Sequence, residues 1–304
     1  MNKFAPLAII SAAILWGVDG IILRPSLYTL PVALVVLIES AIVTVYLSPI
    51  LFKNTNVIKK LGLTDWLAFA GVALFGGALG IMGITKALFY VNYVNLSIVI
   101  LIQKLQPVFA LTLAAIMLKE RLPGKFFFWA ALAIIGAYVM TFGFHFPSID
   151  SGDKTLAAAF YALLAAFSFG FSTVLSKRAL RNVSFELGTY LRYLISSVLM
   201  LLIVLGFGEF NAISNVTTTQ FLIFLLIAFT TGGPAIFLYY YGLKNVTASS
   251  STILELAFPL TAIILEYFIH GKMLSIVQWL GVVILIFSIT KVSGFSYSKQ
   301  TENK

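Results

Sequence analysis

Long runs of apolar residues, separated by short polar segments, occupy the chain from one end to the other. A run of about 20 apolar residues forms an α-helix long enough to cross the hydrocarbon core of a bilayer, which is roughly 30 Å thick. The strands of a membrane barrel would instead alternate polar and apolar positions over roughly ten residues. The pattern therefore predicts an all-α integral membrane protein, and its ten predicted spans are Phe4–Leu23, Pro31–Phe52, Asp65–Tyr90, Leu96–Leu118, Lys125–Phe144, Leu156–Leu175, Phe185–Gly206, Gln220–Tyr241, Thr247–Ile269 and Val277–Val292.

The second half of the chain repeats the first. A shift of 152 positions matches Pro107 with Pro259 and Gln103 with Glu255. Each copy holds five predicted helices, and because five is odd the second copy enters the membrane in the opposite orientation, as in the inverted repeats of secondary transporters. We expect repeats at 1–145 and 156–294, an outer linker at 146–155 and a cytoplasmic tail at 295–304. The first run continues through Trp16 and has a counterpart, so we interpret it as a retained helix rather than a signal peptide.

Composition and charge agree with this class. Hydrophobic residues make up 60% of the chain and charged residues 10%, whereas charged residues form about a quarter of a typical soluble domain. When the predicted spans are threaded in order, fourteen of the 20 basic residues fall on the side of the N-terminus, and three, Arg24, Lys154 and Lys272, fall on the other side. Lys and Arg accumulate in cytoplasmic loops, so both termini are predicted to be cytoplasmic. This distribution also accounts for the net charge of +9 without a nucleic-acid partner.

Polar and charged side chains interrupt the middle of the fourth predicted span. Lys104 lies roughly 5 Å from the bilayer midplane, where a lysine costs at least about 2.5 to 3.5 kcal/mol and therefore faces a partner or a water-filled cavity. Gln103 and Gln106 flank it. Pro107 has no backbone N–H to donate, so we expect it to free the carbonyl of Gln103 and break the helix, and Pro259 to do the same in the second copy.

Lys104 and Glu255 are the leading candidates for substrate binding. In inverted repeats they lie on opposite sides of the midplane, where Lys104 could hold an anionic group and Glu255 a cationic group of a zwitterion. The alternative is an ion pair that only sets the helix register. Trp16 and Tyr239 are candidates for stacking on the substrate, although aromatic residues also favour the lipid interface. Asp19 is a candidate gate or proton carrier.

Several repeated motifs occur in the same order in both copies. They are a small-residue-rich first helix, an aromatic third helix and a fourth helix that turns at Pro107 or Pro259, and the first copy adds Lys-Glu-Arg-Leu at 119–122. Together they resemble the EamA branch of the drug/metabolite transporter superfamily over nearly the whole chain. The resemblance implies a ten-helix carrier of a prokaryotic inner membrane with a central cavity, often an exporter of amino acids, nucleobase-like compounds or other small amphipathic metabolites.

Two positions depart from the pattern of that family. Lys272-Met273 lacks the acidic residue that Glu120 supplies in the first copy, and Glu39 stands where such repeats commonly carry a basic residue, as Arg192 does. Glu39 and Arg192 are equivalent at a shift of 153. Since pseudo-symmetry brings equivalent positions towards one axis, we expect a salt bridge between them, with either a structural or a gating role.

These observations predict a secondary active or facilitative carrier that moves a small zwitterionic or amphipathic metabolite by alternating access, and the resemblance implies export. Motifs of common hydrolases, metalloproteases, P-loop ATPases and dinucleotide-binding enzymes are missing from suitable contexts, so we expect no enzyme, cofactor, metal or ATP-driven transport. The expected partners are the substrate, the lipid bilayer and protons as a coupling ion, in a monomer or homodimer. The alternative is a non-transporting membrane protein, either an intramembrane enzyme that acts on lipid-linked substrates or a scaffold.

Overall fold

A computed structural model describes residues 4–90, 96–145, 155–271 and 273–298, and most of them are helical. The longer helices are α1 (Ala5–Val18), α2 (Val32–Leu47), α3 (Leu63–Val72), α4 (Gly80–Tyr90), α5 (Leu96–Gln103), α6 (Gln106–Met117), α7 (Gly124–Phe142), α8 (Thr155–Ala179), α9 (Phe185–Gly206), α10 (Thr218–Ile227), α11 (Gly233–Asn245), α12 (Ala248–Leu254), α13 (Ala257–His270) and α14 (Ile276–Ser298). Short helical segments lie at Pro49–Lys53, Thr55–Ile58 and Glu209–Asn215.

Three of these helices continue through wider, π-helical turns. Helix α1 runs on through Asp19–Leu23 and then a 3-10 turn at Arg24–Leu27. Helix α3 joins α4 through Ala73–Leu79, and α10 joins α11 through Ala228–Gly232. A π-helical turn adds a residue to the helix, so it changes which side chains share a face on either side of it.

Eight stretches of the described residues are long and apolar enough to cross a membrane: Ala5–Leu27, Leu63–Ala87, Gly124–Phe142, Leu156–Ala179, Phe185–Gly206, Thr218–Asn245, Ala248–Ile269 and Ile276–Gly294. The two other predicted spans contain the shorter apolar helices α2 and α6. The expected all-α membrane class is therefore confirmed, with eight rather than ten spans of full length in the described ranges.

Two of the predicted spans are interrupted near their middle. The chain leaves the α-helical path at 104–105, between α5 and α6, and at 255–256, between α12 and α13. Tight backbone turns with i→i+3 hydrogen bonds of 2.9 and 3.2 Å fill these gaps. Pro107 and Pro259 stand just beyond them, and each lacks the N–H that would bond to the carbonyl four residues earlier, that of Gln103 or Glu255.

Glycines allow the two halves of the chain to approach each other closely. A Cβ atom on Gly17 of α1 would lie 2.7 Å from the Cβ of Thr261 and 3.2 Å from the carbonyl oxygen of Phe258, both in α13. A Cβ atom on Gly170 of α8 would lie 2.9 Å from the carbonyl oxygen of Gln106 in α6. Gly17 and Gly170 are equivalent in the sequence repeat, and so are their contact regions. Each half therefore lays its first helix against the interrupted helix of the other half.

Helices α7 and α14 pack along one another and contribute to the largest hydrophobic core cluster. Gly281 of α14 lies against the backbone of α7, so a Cβ atom there would overlap the backbone nitrogen of Met140. Gly294, on the same helix, has no atom within 4 Å of the position of a Cβ. These two glycines separate the effect of close packing from that of helix propensity.

We predict that Gly281→Ala lowers the unfolding temperature in detergent, whereas Gly294→Ala leaves it unchanged or raises it. Overpacking at a close helix contact costs typically about 1 to 3 kcal/mol, while alanine at an open helical site is favourable by up to about 1 kcal/mol. Thermal unfolding of the purified variants measures the difference. Equal unfolding temperatures for the two variants would contradict the close packing of α7 and α14.

Candidate functional site

The interrupted helices bring polar side chains of the two halves together. Gln106, at the start of α6, points its amide nitrogen at Glu255, in the gap between α12 and α13, and the two atoms are 3.5 Å apart. The carboxylate of Glu255 also accepts hydrogen bonds from the hydroxyl of Tyr239 at 2.7 Å and from that of Ser251 at 3.1 Å. Its charge is therefore stabilised by neutral donors, which is how buried carboxylates without a cation are satisfied.

Aromatic residues border this carboxylate. Tyr239 is buried on α11, and its ring centroid lies 5.2 Å from that of Trp16 on α1, with the planes tilted by 56°. Its hydroxyl also lies 3.3 Å from the hydroxyl of Thr173 on α8. We call Trp16, Gln106, Tyr239 and Glu255 the central cluster. It combines a flat apolar surface with hydrogen-bonding groups, and this combination is typical of sites for small organic ligands.

Lys104 lies in the gap between α5 and α6, next to the central cluster in sequence. It forms neither an ion pair nor a side-chain hydrogen bond with any described residue. The ion pair between Lys104 and Glu255 that was one interpretation of the sequence is thus not formed, because Glu255 is satisfied by neutral donors. Gln103 turns away and donates to the backbone carbonyl of Ala162 on α8 at 2.8 Å. Among the described residues, none therefore occupies the donor hydrogens of the Lys104 ammonium.

Asp19 does not join the central cluster but forms a separate charged group. The guanidinium of Arg24 lies 2.6 Å from a carboxylate oxygen of Asp19 and 3.2 Å from one of Glu39. We call these three residues the Arg24 triad. Within the described part of the chain, the second oxygen of Asp19 is buried without a hydrogen-bond partner. The triad places two carboxyl groups around one guanidinium, which contacts both of them.

The π-helical turn explains why this triad differs from the expectation. Residues five apart in an α-helix are about 140° apart around the axis, whereas the π-turn, with its bond from the Arg24 N–H to the Asp19 carbonyl, brings them to one face. Arg24 therefore continues the helix instead of lying in a loop. Its guanidinium forms the ion pair with Glu39 that was expected for Arg192. The guanidinium carbon of Arg192 lies instead 5.6 Å from the centre of the Tyr240 ring.

One contact residue of the central cluster was not identified from the sequence. Thr173 contacts the hydroxyl of Tyr239, but it neither carries a charge nor breaks a helix. The hydroxyl of the buried Tyr240 lies 3.1 Å from that of Ser176, which fixes the ring beneath Arg192. The spacing of Ser251 and Glu255, four residues apart, was the one available signal, since such residues share a helix face.

Comparisons with known proteins identify similar chains. The model of the EamA-like transporter family matches residues 3–142 and 156–294. The riboflavin transporter ImpX of Fusobacterium nucleatum is 47% identical over 287 residues, which cover 93% of this chain and 95% of that protein. An uncharacterized transporter of Synechocystis, sll1164, is 28% identical over 236 residues, or 75% of this chain and 66% of that one. A solved crystal structure with 17% identity has a TM-score of 0.77 and covers 98% of this chain and 99% of that chain, which shows the fold alone.

We predict that Arg24→Met destabilises the protein strongly, because it leaves two buried carboxylates without their cation. Removing one partner of a buried ion pair costs about 3 to 5 kcal/mol. Thermal unfolding in detergent measures the loss. The matched control replaces all three charges together, as Asp19→Asn, Arg24→Met and Glu39→Gln, and should recover most of the stability. An Arg24→Met variant as stable as the wild type would contradict the triad.

Proposed function

Because the chain belongs to the EamA-like transporter family, we propose that it carries riboflavin, or a compound with the same flat ring system, across the membrane by alternating access. It is a membrane transporter and not an enzyme. The observation that carries the proposed substrate is the 47% identity to a riboflavin transporter over 93% of the chain. The central cluster and Lys104 supply a site with suitable chemistry.

The chemistry of riboflavin fits these residues. Its ring system is flat and aromatic, so it can stack on the half-buried ring of Trp16, which packs against Tyr239. The ring carbonyls are acceptors for the ammonium of Lys104 and the amide of Gln106, and its imide N–H and ribityl hydroxyls are donors for Glu255. Riboflavin is an amphipathic compound rather than the zwitterion that the sequence also allowed. The neutral donors around Glu255 support this choice, since the carboxylate has hydrogen-bond partners without a cationic group.

We further propose that the carrier consists of ten membrane helices in two inverted five-helix repeats. The supporting observations are the equivalent interruptions before Pro107 and Pro259 and the equivalent contacts of Gly17 and Gly170. Helices that are broken at the midplane, with the substrate between repeats, are the arrangement by which many secondary transporters bind their substrates. Cytoplasmic termini, export and proton coupling remain predictions, and export and proton coupling are tested together with the substrate.

We predict that purified protein in liposomes catalyses saturable counterflow of labelled riboflavin and that Lys104→Met and Glu255→Gln each reduce it at least about tenfold. A hydrogen bond to a charged group contributes about 1.5 to 3 kcal/mol, and about 1.4 kcal/mol corresponds to a factor of ten. The matched control is Lys125→Met, the same change at an exposed lysine at the start of α7, which should leave counterflow intact. Wild-type counterflow in both site variants would contradict the proposed site.

The same liposomes test the substrate, the direction and the coupling. Amino acids, amines and nucleosides are offered beside riboflavin, with and without a pH gradient. Saturable flux of another class, without flux of riboflavin, would contradict the substrate while leaving the carrier in place. Accumulation that follows the pH gradient would support proton coupling, and its sign would give the direction.

A further inference from the structure

A carboxylate at one end of the molecule joins the two halves of the chain. Glu120 lies after α6, and one of its oxygens accepts a hydrogen bond from the backbone N–H of Ala248 at 2.8 Å. The other oxygen accepts from the backbone N–H of Ser249 at 3.1 Å and from its hydroxyl at 2.6 Å. Ala248 and Ser249 are the first residues of α12, the helix that leads to Glu255. Both oxygens of Glu120 are thus engaged in holding the start of this helix.

The chemistry of this contact makes it a strong one. The first N–H groups of a helix have no partner within the helix, and the helix dipole favours an anion there. Hydrogen bonds to an ionised carboxylate are roughly twice as strong as those between neutral groups. The chain also adopts an unfavourable conformation beside it. Lys119 has φ of 56°, the one positive value at a non-glycine residue in the described ranges.

Other contacts tie the same end of the molecule. The ammonium of Lys177, at the end of α8, donates to the carbonyls of Leu243 and Lys244 at 2.7 and 3.0 Å. Lys244, at the end of α11, donates in turn to the carbonyls of Leu180 and Val183. These lysines neutralise the negative ends of two neighbouring helices. We call this end, where Glu120, Lys177 and Lys244 lie, the basic end.

The sequence repeat shows that the other half of the chain lacks the equivalent carboxylate. A shift of 152 places Lys272 at the position of Glu120, and Leu96-Ser97 at the position of Ala248-Ser249. The sequence thus has a serine at this position in both copies, but a carboxylate at the position of Glu120 in the first copy alone. A lysine side chain carries only donors and cannot accept hydrogen bonds from a helix N-terminus.

We propose that Glu120 is a one-sided latch that holds the basic end closed, so that the central cluster faces the opposite side of the membrane in the resting protein. The inference rests on the proposed function, since a latch of this kind acts in a carrier that alternates between two access states. Because α12 begins at the latch and ends one residue before Glu255, release of its first turn is the step that opens the site to the basic end. With the orientation predicted from the positive charges, the resting carrier is open to the outside.

The latch is tested by the reactivity of a single cysteine. The chain contains no cysteine, so Ser250→Cys introduces one thiol, at a position that is 1% exposed in the first turn of α12. Its rate of reaction with a water-soluble maleimide, in purified protein without substrate, reports how often the basic end opens. We expect Glu120→Gln to raise this rate about tenfold, because it removes the charge that strengthens these hydrogen bonds.

A second variant separates a latch from a merely stabilising contact. Lys272→Glu leaves Glu120 in place but supplies the second copy with its own carboxylate, so it should stabilise closure of the opposite end. Closure of the opposite end favours the state in which the basic end is open. We therefore expect Lys272→Glu to raise the reaction rate of the Ser250→Cys thiol severalfold, whereas the neutral control Lys272→Gln should leave this rate unchanged.

Unchanged reactivity in Glu120→Gln, in protein with an unchanged unfolding temperature, would overturn the latch. If Glu120→Gln fails to fold, Lys272→Glu tests the latch alone. The latch would then be overturned if the Ser250→Cys thiol reacted at the same rate in Lys272→Glu as in Lys272→Gln. Because no substrate is present, absence of riboflavin counterflow would contradict the proposed substrate without affecting this result.

Discussion

The structure depends on how helices are interrupted inside an apolar layer. The bilayer core offers no water to a freed backbone group, so a break in a membrane helix persists only where protein groups surround it. The gaps before Pro107 and Pro259 are surrounded by helices of the other half, with Gly170 and Gly17 allowing the close approach. The prolines that weaken these two helices therefore also determine where the halves of the molecule meet.

The same constraint governs every charge at that depth. In the Arg24 triad, two carboxylates share one guanidinium, and the π-helical turn places Asp19 and Arg24 on one face. Glu255 is stabilised by hydroxyl and amide donors. Lys104 is the exception among the described ionisable residues of the two interrupted spans, since it has no partner there. Because an unpaired charge is costly inside a membrane, Lys104 is a candidate for binding a ligand that supplies an acceptor.

The two halves share a backbone plan but differ in chemistry. Asp19 and Arg24 correspond to Ser172 and Lys177 in the repeat, and Lys177 binds carbonyl groups instead of carboxylates. Glu120 corresponds to Lys272, so the contact that ties α12 has no acidic counterpart. In the proposed carrier, equivalent positions with unlike side chains would give the two access states unlike free energies, and this difference would set the preferred resting state.

Much of the fold could be predicted from the sequence because it depends on local properties. Runs of apolar residues identified the membrane helices, proline identified the two interruptions, and repeated motifs identified the transporter family that the comparisons confirm. The length of a helix and the effect of a proline are set by residues within a few positions, so they can be read along the chain.

The pairing of the charges was decided by the tertiary structure. The sequence indicated that Glu39, Lys104, Arg192 and Glu255 needed partners, but the pair that it predicted, Glu39 with Arg192, was wrong. Those partners depend on how far each helix is rotated about its axis. The single π-helical turn after α1 places Arg24 beside Glu39, and Glu39 therefore pairs with Arg24 instead of Arg192. They also depend on contacts between residues more than a hundred positions apart, as at Gln106 and Glu255. Hydropathy and local propensity carry no information on helix rotation or on contacts between distant residues. The sequence by itself therefore determined the helices and their breaks. Only the packing of the two halves determined which side chains meet in the central cluster.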